Sequence, residues 1–421
     1  MDISLYMLCE GNVLFYCDEW CSETYTGSGP ILTSQFLSKL FESITYDDRI
    51  KFFKSWARLR SSNEYIAYDV TSFSSYSLGN DNLEWGYNRD KEKLPQFNLG
   101  MYYGERSRLP IYYCIYPGSI LDKTHLKYMM QDNEILGIKN VMFVMDMGFF
   151  DVLNFKYMEE KGYLFTICVS NSLDTSKEIL LEYRDKLKSS RYYDKYHDIY
   201  AASENTKEYS VNANINIYYD PVRALTEENS LYRRLTIMED ELSSMKSPLS
   251  KKQLKEYGKY FDVTDLGDGN ISYKHNYEKI DNEKANNGFF LLLTTDIRKS
   301  SAETLEIYRR KDLVEKCFDD LKNSIDMKRV ICQTKMTTDG KMFVAFISLI
   351  LKSHLMNKLS EYFNENNSSI EKVLKEIRKI KVVTTQDGIK MMNPLTKKQK
   401  EILSYFNIKE RDITDYIVSS N

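Results

Sequence analysis

Three apolar, strand-like segments follow one another early in the chain, at residues 65–70, 97–103 and 111–116. The second and third are joined by the polar stretch Gly104-Glu105-Arg106-Ser107-Arg108, which reads as a hairpin connection, and Pro117-Gly118 ends the third. Such a set has to build an antiparallel sheet. A short helix from Asp122 through Met130 comes next, then the compact apolar strand 141–145, which stops at Asp146. Asp151 is placed to N-cap a helix running to about Lys161, and residues 163–169 form another apolar strand. Hairpin-linked strands followed by strand, helix and strand describe an α/β fold with a mixed sheet flanked by helices.

Other segments group around that core. Phe36, Leu37, Leu40 and Phe41, then Ile50, Phe53 and Trp56, recur at three and four positions, so residues 1–62 form a helical N-terminal region. Residues 63–170 are the first part of the core and 171–287 a polar insertion. Within the insertion Tyr209, Val211, Ala213, Ile215 and Ile217 alternate with polar residues, which leaves one sheet face solvated, and a charged helix follows over 221–245. The core resumes over 288–355 with the strand 289–293, a long amphipathic helix from about Ser301 to Met327, and an apolar helix over 343–355. Residues 356–421 are a Lys-rich tail. Its Lys372, Lys375, Lys397, Lys398 and Lys400 suit phosphate contact or a solvated helix surface equally.

Composition excludes several classes. With 42% apolar residues in 421, the chain can bury a large core. A net charge of -3 lends no support to nucleic-acid binding, which would have to rest on local Lys/Arg patches. The seven Cys contain no CxxC pair, and Cys17 and Cys21 lack a second pair at zinc-ligand spacing. Apolar runs such as 288–293 are too short to span a bilayer, and the N-terminus carries acids where a signal peptide carries basic residues. A reducing cytoplasm is the expected location.

Chemistry is concentrated in a few acids. On a helix from Ser301, Tyr308, Lys311, Glu315 and Lys322 fall within roughly 60° of one another, opposite the apolar Leu313, Val314, Cys317, Phe318, Leu321 and Ile325. A solvated salt-bridge face would give the same pattern. Asp69, however, lies inside an apolar strand, where an unpaired carboxylate is costly. Asp146 closes the most apolar strand, either as a turn or cap residue or as a carboxylate delivered to the sheet edge. If Asp69, Asp146 and Glu315 converge, their repulsion calls for a divalent cation, and Mg2+ is the natural occupant, with Mn2+ able to substitute. Two such ions would support an in-line phosphoryl displacement without a His base.

The spacing Tyr308-x2-Lys311-x3-Glu315-x6-Lys322 resembles the Tyr-x2-Arg-x3-Glu-x6-Lys signature of a large branch of insertion-sequence DDE transposases. Tyr68-Asp69-Val70-Thr71-Ser72 and Val144-Met145-Asp146-Met147-Gly148-Phe149 resemble the segments around that family's first and second Asp. Gly86-Tyr87-Asn88-Arg89-Asp90 also looks family-like, without an assignable role. The resemblance implies a ribonuclease-H-like core with a mostly β insertion, Asp69, Asp146 and Glu315 as catalytic metal ligands, and Tyr308, Lys311 and Lys322 on DNA phosphates. It further implies a DNA transposase that cleaves and joins the ends of an insertion sequence, as a homodimer in a synaptic complex with terminal inverted repeats and target DNA, in a bacterial cytoplasm. Lys311 departs from the usual Arg and trades a bidentate fork for a point charge. The N-terminal region is shorter than relatives carry, which points to truncation. The alternatives are therefore a catalytically inactive DNA-binding remnant, or a nuclease on the same fold that does not transfer strands.

Overall fold

Enrichment in aromatic and β-branched residues makes β1 (Tyr65–Ser74) the first strand, and it continues four residues beyond the expected end. The computed structural model describes residues 1–24, 32–60, 64–246, 248–267, 270–386 and 390–419. They form two units, one of Met1–Val144 with Arg310–Asn421 and one of Met145–Arg309.

In the first unit α1 (Asp2–Glu10), α2 (Cys17–Glu23), α3 (Ser34–Ser43) and α4 (Tyr46–Arg60) precede β1. The hairpin expected from the sequence is present as β2 (Gln96–Gly104) and β3 (Pro110–Pro117), antiparallel to each other, with β2 antiparallel to β1. Its turn is pinned by the buried Glu64, whose carboxylate accepts from the backbone N–H groups of Arg106 and Ser107. Next comes α5 (Asp122–Leu136), which stops at Gly137 in a left-handed conformation, φ 72°. It leads into β4 (Met142–Met145), which runs parallel to β1 with Tyr65 opposite Met142 and Ala67 opposite Val144. The strand order is β3-β2-β1-β4.

One face of this sheet is closed by aromatic packing. Phe53 of α4 stands edge-on to Tyr112 and Tyr113 of β3, with ring centroids 4.9 and 5.4 Å away. It also meets Phe346 of α13 (Lys335–Lys358) at 5.5 Å. Gly340 allows α13 to lie directly on α3, since a Cβ there would overlap the Phe41 carbonyl oxygen and stand 2.8 Å from its Cα. Gly340→Ala is therefore expected to destabilise the chain by about 2 kcal/mol through forced separation of the two helices. A urea midpoint equal to that of the wild type would refute the close approach.

The long helix expected from Ser301 to Met327 is instead three pieces: α11 (Ser301–Arg309) in the second unit, then α12 (Asp312–Asp319) and a π-helical turn (Asp320–Ser324) in the first. At the break Leu313 and Val314 donate three residues back, to Arg310 and Lys311, and the Arg310 side chain is drawn to the buried Glu105. In the wide turn Ile325 donates five residues back to Asp320, whose carboxylate is held by the buried Lys352 at 2.9 Å. Each change of hydrogen-bond span rotates the residues beyond it, so a count of 100° per residue does not carry from Tyr308 to Lys322.

The Lys-rich segment is more than a helical tail. Tyr362 of α14 (Ser360–Asn366), Ile370 and Val373 of α15 (Ile370–Ile377) and Ile402 of α16 (Lys397–Ser404) share a small apolar core. A short hairpin of β12 (Val382–Thr384) and β13 (Lys390–Met392) lies between α15 and α16, and α17 (Glu410–Ser419) ends the described chain.

The second unit carries α6 (Val152–Glu160), N-capped by Asp151 as expected, then β5 (Leu164–Val169) and α7 (Asp174–Tyr183). Strands β6 (Tyr193–Asp194), β7 (Ile199–Thr206) and β8 (Ala213–Tyr219) follow, and β11 (Phe289–Thr294) inserts between β5 and β8. All neighbours in the order β5-β11-β8-β7-β6 are antiparallel. The alternation expected over residues 209–217 holds in its first half, where Tyr209, Val211 and Ala213 are buried and Ser210 and Asn212 exposed, but the second face closes at Asn216 and Tyr218, where Leu305 of α11 joins Tyr218 and Leu292 in one apolar cluster. Residues 171–287 also hold more helix than strand, which corrects the mostly β expectation. The reason is α8 (Pro221–Ser244), capped by Asp220 and started by Pro221. Its Leu231, Leu235, Met238 and Leu242 form a separate core with Phe261 of β9 (Phe261–Gly267) and Ile280 of α10 (Tyr277–Lys284), beside α9 (Lys251–Tyr257) and β10 (Asn270–His275).

Candidate functional site

Strand β1 delivers Asp69 from within the first unit's sheet. Its side chain is 15% exposed, and Oδ1 accepts from the Val70 N–H at 2.8 Å. Helix α12 lies against β1 and β2, anchored where Cys317 Sγ meets Met101 Sδ at 3.6 Å, and Met101 is the cross-strand partner of Asp69. This packing brings Lys311 and Glu315 into the electrostatic field of Asp69. Lys311, 7% exposed, donates to Glu315 Oε1 at 2.5 Å, while Glu315 is half exposed.

The electrostatics at Asp69 are opposed. Burial pushes its carboxyl above the usual carboxylate range, and Glu315 pushes the same way; Arg89, Lys311 and the Val70 N–H pull it down. Burial prevails. A desolvated carboxylate with a second carboxylate nearby is a hard-oxygen donor set that favours a cation, and the side chains that answer this here are cationic.

Sequence reasoning gave the stretch from Gly86 to Asp90 no role, yet it supplies much of the site's support. Arg89 approaches Asp69 Oδ1 with Nη1 at 4.0 Å and binds Asp122 Oδ2 with Nη2 at 2.7 Å. Asp122 is held in turn by the Tyr116 hydroxyl at 2.7 Å. The loop is tied to the end of β1 by Asn88 Nδ2 on Ser74 Oγ, 3.0 Å, and by the Arg89 N–H on Ser72 Oγ, 3.2 Å. Asp90 accepts from Lys322 Nζ at 2.7 Å, and the Lys322 ammonium lies 5.5 Å from the Phe73 ring centroid. Lys322 is thus buried and ion-paired. The sequence signal was the family-like look of this stretch, which names no partner, and the partners lie far off along the chain.

The second unit holds the other two residues singled out in the sequence. Asp146 follows β4 and caps a single 3-10 turn, its Oδ1 accepting from the Met147 N–H at 2.8 Å. Tyr308 of α11 donates its hydroxyl to the same oxygen at 3.3 Å, and burial pushes that phenol far above its ordinary range. Asp146 is thus a cap residue, one of the two readings its sequence position allows, and it also accepts from the Tyr308 hydroxyl. Among the described residues no group of three or more His, Cys, Asp or Glu side chains is gathered closely enough to hold a metal ion.

No curated protein sequence matches the chain. Among solved structures, a cryo-EM structure of the piggyBac transposase synaptic complex with hairpin DNA is similar at a TM-score of 0.35 and 9% identity, over 78% of this chain and 60% of that one. The chain thus spans about three-fifths of that protein's length. The family model for the transposase DDE domain matches residues 61–351, a stretch that contains Asp69, Asp146 and Glu315. By that match the chain belongs to the transposase DDE domain family.

Proposed function

We propose that the chain is a DNA transposase of the branch with the Tyr-x2-Arg-x3-Glu-x6-Lys signature, cutting and joining the ends of an insertion sequence on a ribonuclease-H-like core. Its family generally uses divalent metal ions. The observation that carries the reading is Asp69, desolvated on β1 with Glu315 and two cationic side chains acting on it, within the residues the family model matches. The order β3-β2-β1-β4, three antiparallel strands and a parallel fourth, supports the ribonuclease-H-like assignment.

In this reading Asp69, Asp146 and Glu315 would hold Mg2+ when it is bound. The bound cations would activate a water or 3′-hydroxyl and stabilise the leaving oxygen. The chain's own residues prepare this: Arg89, fixed by Asp122, limits the directions open to the Asp69 carboxylate, and Tyr308 orients Asp146 through Oδ1. Lys311 neutralises Glu315 and can turn its ammonium to a phosphate oxygen as a point charge. The substrates are the element's terminal repeats and a target duplex, engaged by a synaptic homodimer.

Incubating the purified chain with labelled DNA carrying the element's ends and Mg2+ tests the proposal. Cleaved and joined strands are expected, both abolished by EDTA and both reduced roughly 1000-fold in Asp146→Asn and Glu315→Gln. Wild-type cleavage by either variant would remove the metal triad; cleavage without joining would replace transposition by simple nuclease action.

A further inference from the structure

One titratable cluster of the second unit takes no part in the proposed phosphoryl transfer. In the turn between β6 and β7, the His197 side chain is 12% exposed and stands between two carboxylates. Its Nδ1 is 2.7 Å from Asp194 Oδ2, and its Nε2 faces Glu306 Oε1 of α11 at 3.5 Å. Burial pushes the Asp194 carboxyl up, but the His197 ring and the Tyr196 N–H, which donates to it at 2.9 Å, hold it below the usual carboxylate range. An ionised carboxylate only accepts, so Nδ1 carries a proton. That bond fixes the ring in one orientation, with Nε2 turned to α11.

The turn itself is held in shape. Asp198 takes a left-handed backbone, φ 54°, and its carboxylate accepts from the Tyr193 hydroxyl at 2.8 Å. Directly beyond it the buried Ile199 opens β7 and shares an apolar cluster with Leu305 of α11, against which Tyr308 packs. The turn thus meets the end of α11 twice, through an apolar contact and through an ionic one. At the start of the helix the Tyr218 hydroxyl donates to the Ser301 carbonyl oxygen at 2.7 Å. Apolar packing is non-directional and leaves the roll of a helix loosely fixed; a charged side chain between two defined partners fixes it. Tyr308 depends on that roll. Its hydroxyl reaches Asp146 Oδ1 at 3.3 Å, near the outer limit for such a bond.

We infer that His197 is a positioning residue for Asp146: braced by Asp194, it sets the roll of α11 through Glu306 and so keeps the Tyr308 hydroxyl on Oδ1. The effect on strand cleavage rests on the proposed role of Asp146 as a metal ligand; the contact itself does not. Two isosteres separate this role from support of the turn alone. His197→Asn keeps a donor where Nδ1 stood and serves Asp194 only, whereas His197→Gln carries its donor to where Nε2 stood and serves Glu306 only.

Labelling Tyr308 of the full chain as 3-fluorotyrosine gives a 19F resonance that reports the hydroxyl's surroundings. It should shift in His197→Asn and in Glu306→Ala, a half-exposed position whose loss leaves the core intact, and return toward the wild-type value in His197→Gln. Single-turnover cleavage by the unlabelled chain should fall about tenfold in the first two variants and recover in the third, with DNA affinity unchanged throughout. The reverse order, Asn above Gln, would make His197 a support of its own turn through Asp194 and overturn the inference. A 19F resonance that stays in place in all three variants would overturn it too. A wild-type chain that does not cleave, but whose resonance shifts as described, would remove the transposase reading and leave the positioning of Tyr308 standing.

Discussion

Asp69→Asn is expected to lower strand cleavage by about three orders of magnitude while raising the melting temperature by roughly 2 °C. The two effects share one cause. Asp69 sits where burial outweighs the help of Arg89 and Lys311, so its carboxyl is held above its ordinary value of 3.8. An acid whose folded pKa exceeds its unfolded pKa opposes folding when ionised. That opposition is fully present above the folded value, shrinks as pH falls through it, and is gone below the unfolded value. Asparagine keeps the shape, can still accept a hydrogen bond from the Val70 N–H, and has no charge to desolvate. Arg89 loses a partner at 4.0 Å and keeps Asp122 at 2.7 Å. The stability gained by the variant should therefore narrow when melting is repeated at acidic pH, from neutral down through the carboxylate range. Should Asp69→Asn melt below the wild type at neutral pH, Asp69 would be a structural ion-pair partner rather than a carboxylate kept for function at a cost in stability.

How far the sequence foretells this arrangement depends on the range of the interactions involved. The strands around Asp69 and before Asp146 were legible because their signals are local: an apolar run in β1, a polar turn between β2 and β3, an apolar run stopped at Asp146, a cap at Asp151. The breaks around Lys311 and Asp320 were not. Periodicity assumes one hydrogen-bond span throughout, and a π-turn shifts the phase by a single residue that no apolar pattern records. The role of Arg89 and Asp90 was equally hidden, because Ser72, Ser74, Asp122 and Lys322 become their neighbours only after the sheet and α12 have packed. Alternation from Tyr209 to Ile217 marked β8 as a strand but could not show that α11 would cover its second face.

Lys322 gives the second large effect, because its position within the π-helical turn changes what its charge is for. A lysine that contacts DNA phosphate should be exposed; this one is 9% exposed, with Asp90 as its partner at 2.7 Å and the Phe73 ring beneath it. Asp90→Ala is expected to cost about 3 kcal/mol, since it strands a buried ammonium. Lys322→Met is expected to cost only about 1 kcal/mol, since Asp90, 27% exposed, can rehydrate. In the double variant the stranded charge no longer exists, so its loss should fall well short of the sum, with a coupling of about 2 kcal/mol in a denaturation cycle. DNA affinity supplies the opposing measurement. A lysine on a phosphate contributes about one unit to the slope of log affinity against log salt. Lys322→Met should leave that slope unchanged; a slope reduced by one, together with additive stabilities, would return Lys322 to the phosphate and reduce Asp90 to a bystander. If the coupling is found, Lys322 acts through the loop. Asp90 fixes the backbone next to Arg89, Arg89 faces Asp69, and Lys322 thereby orients the Asp69 carboxylate from beneath.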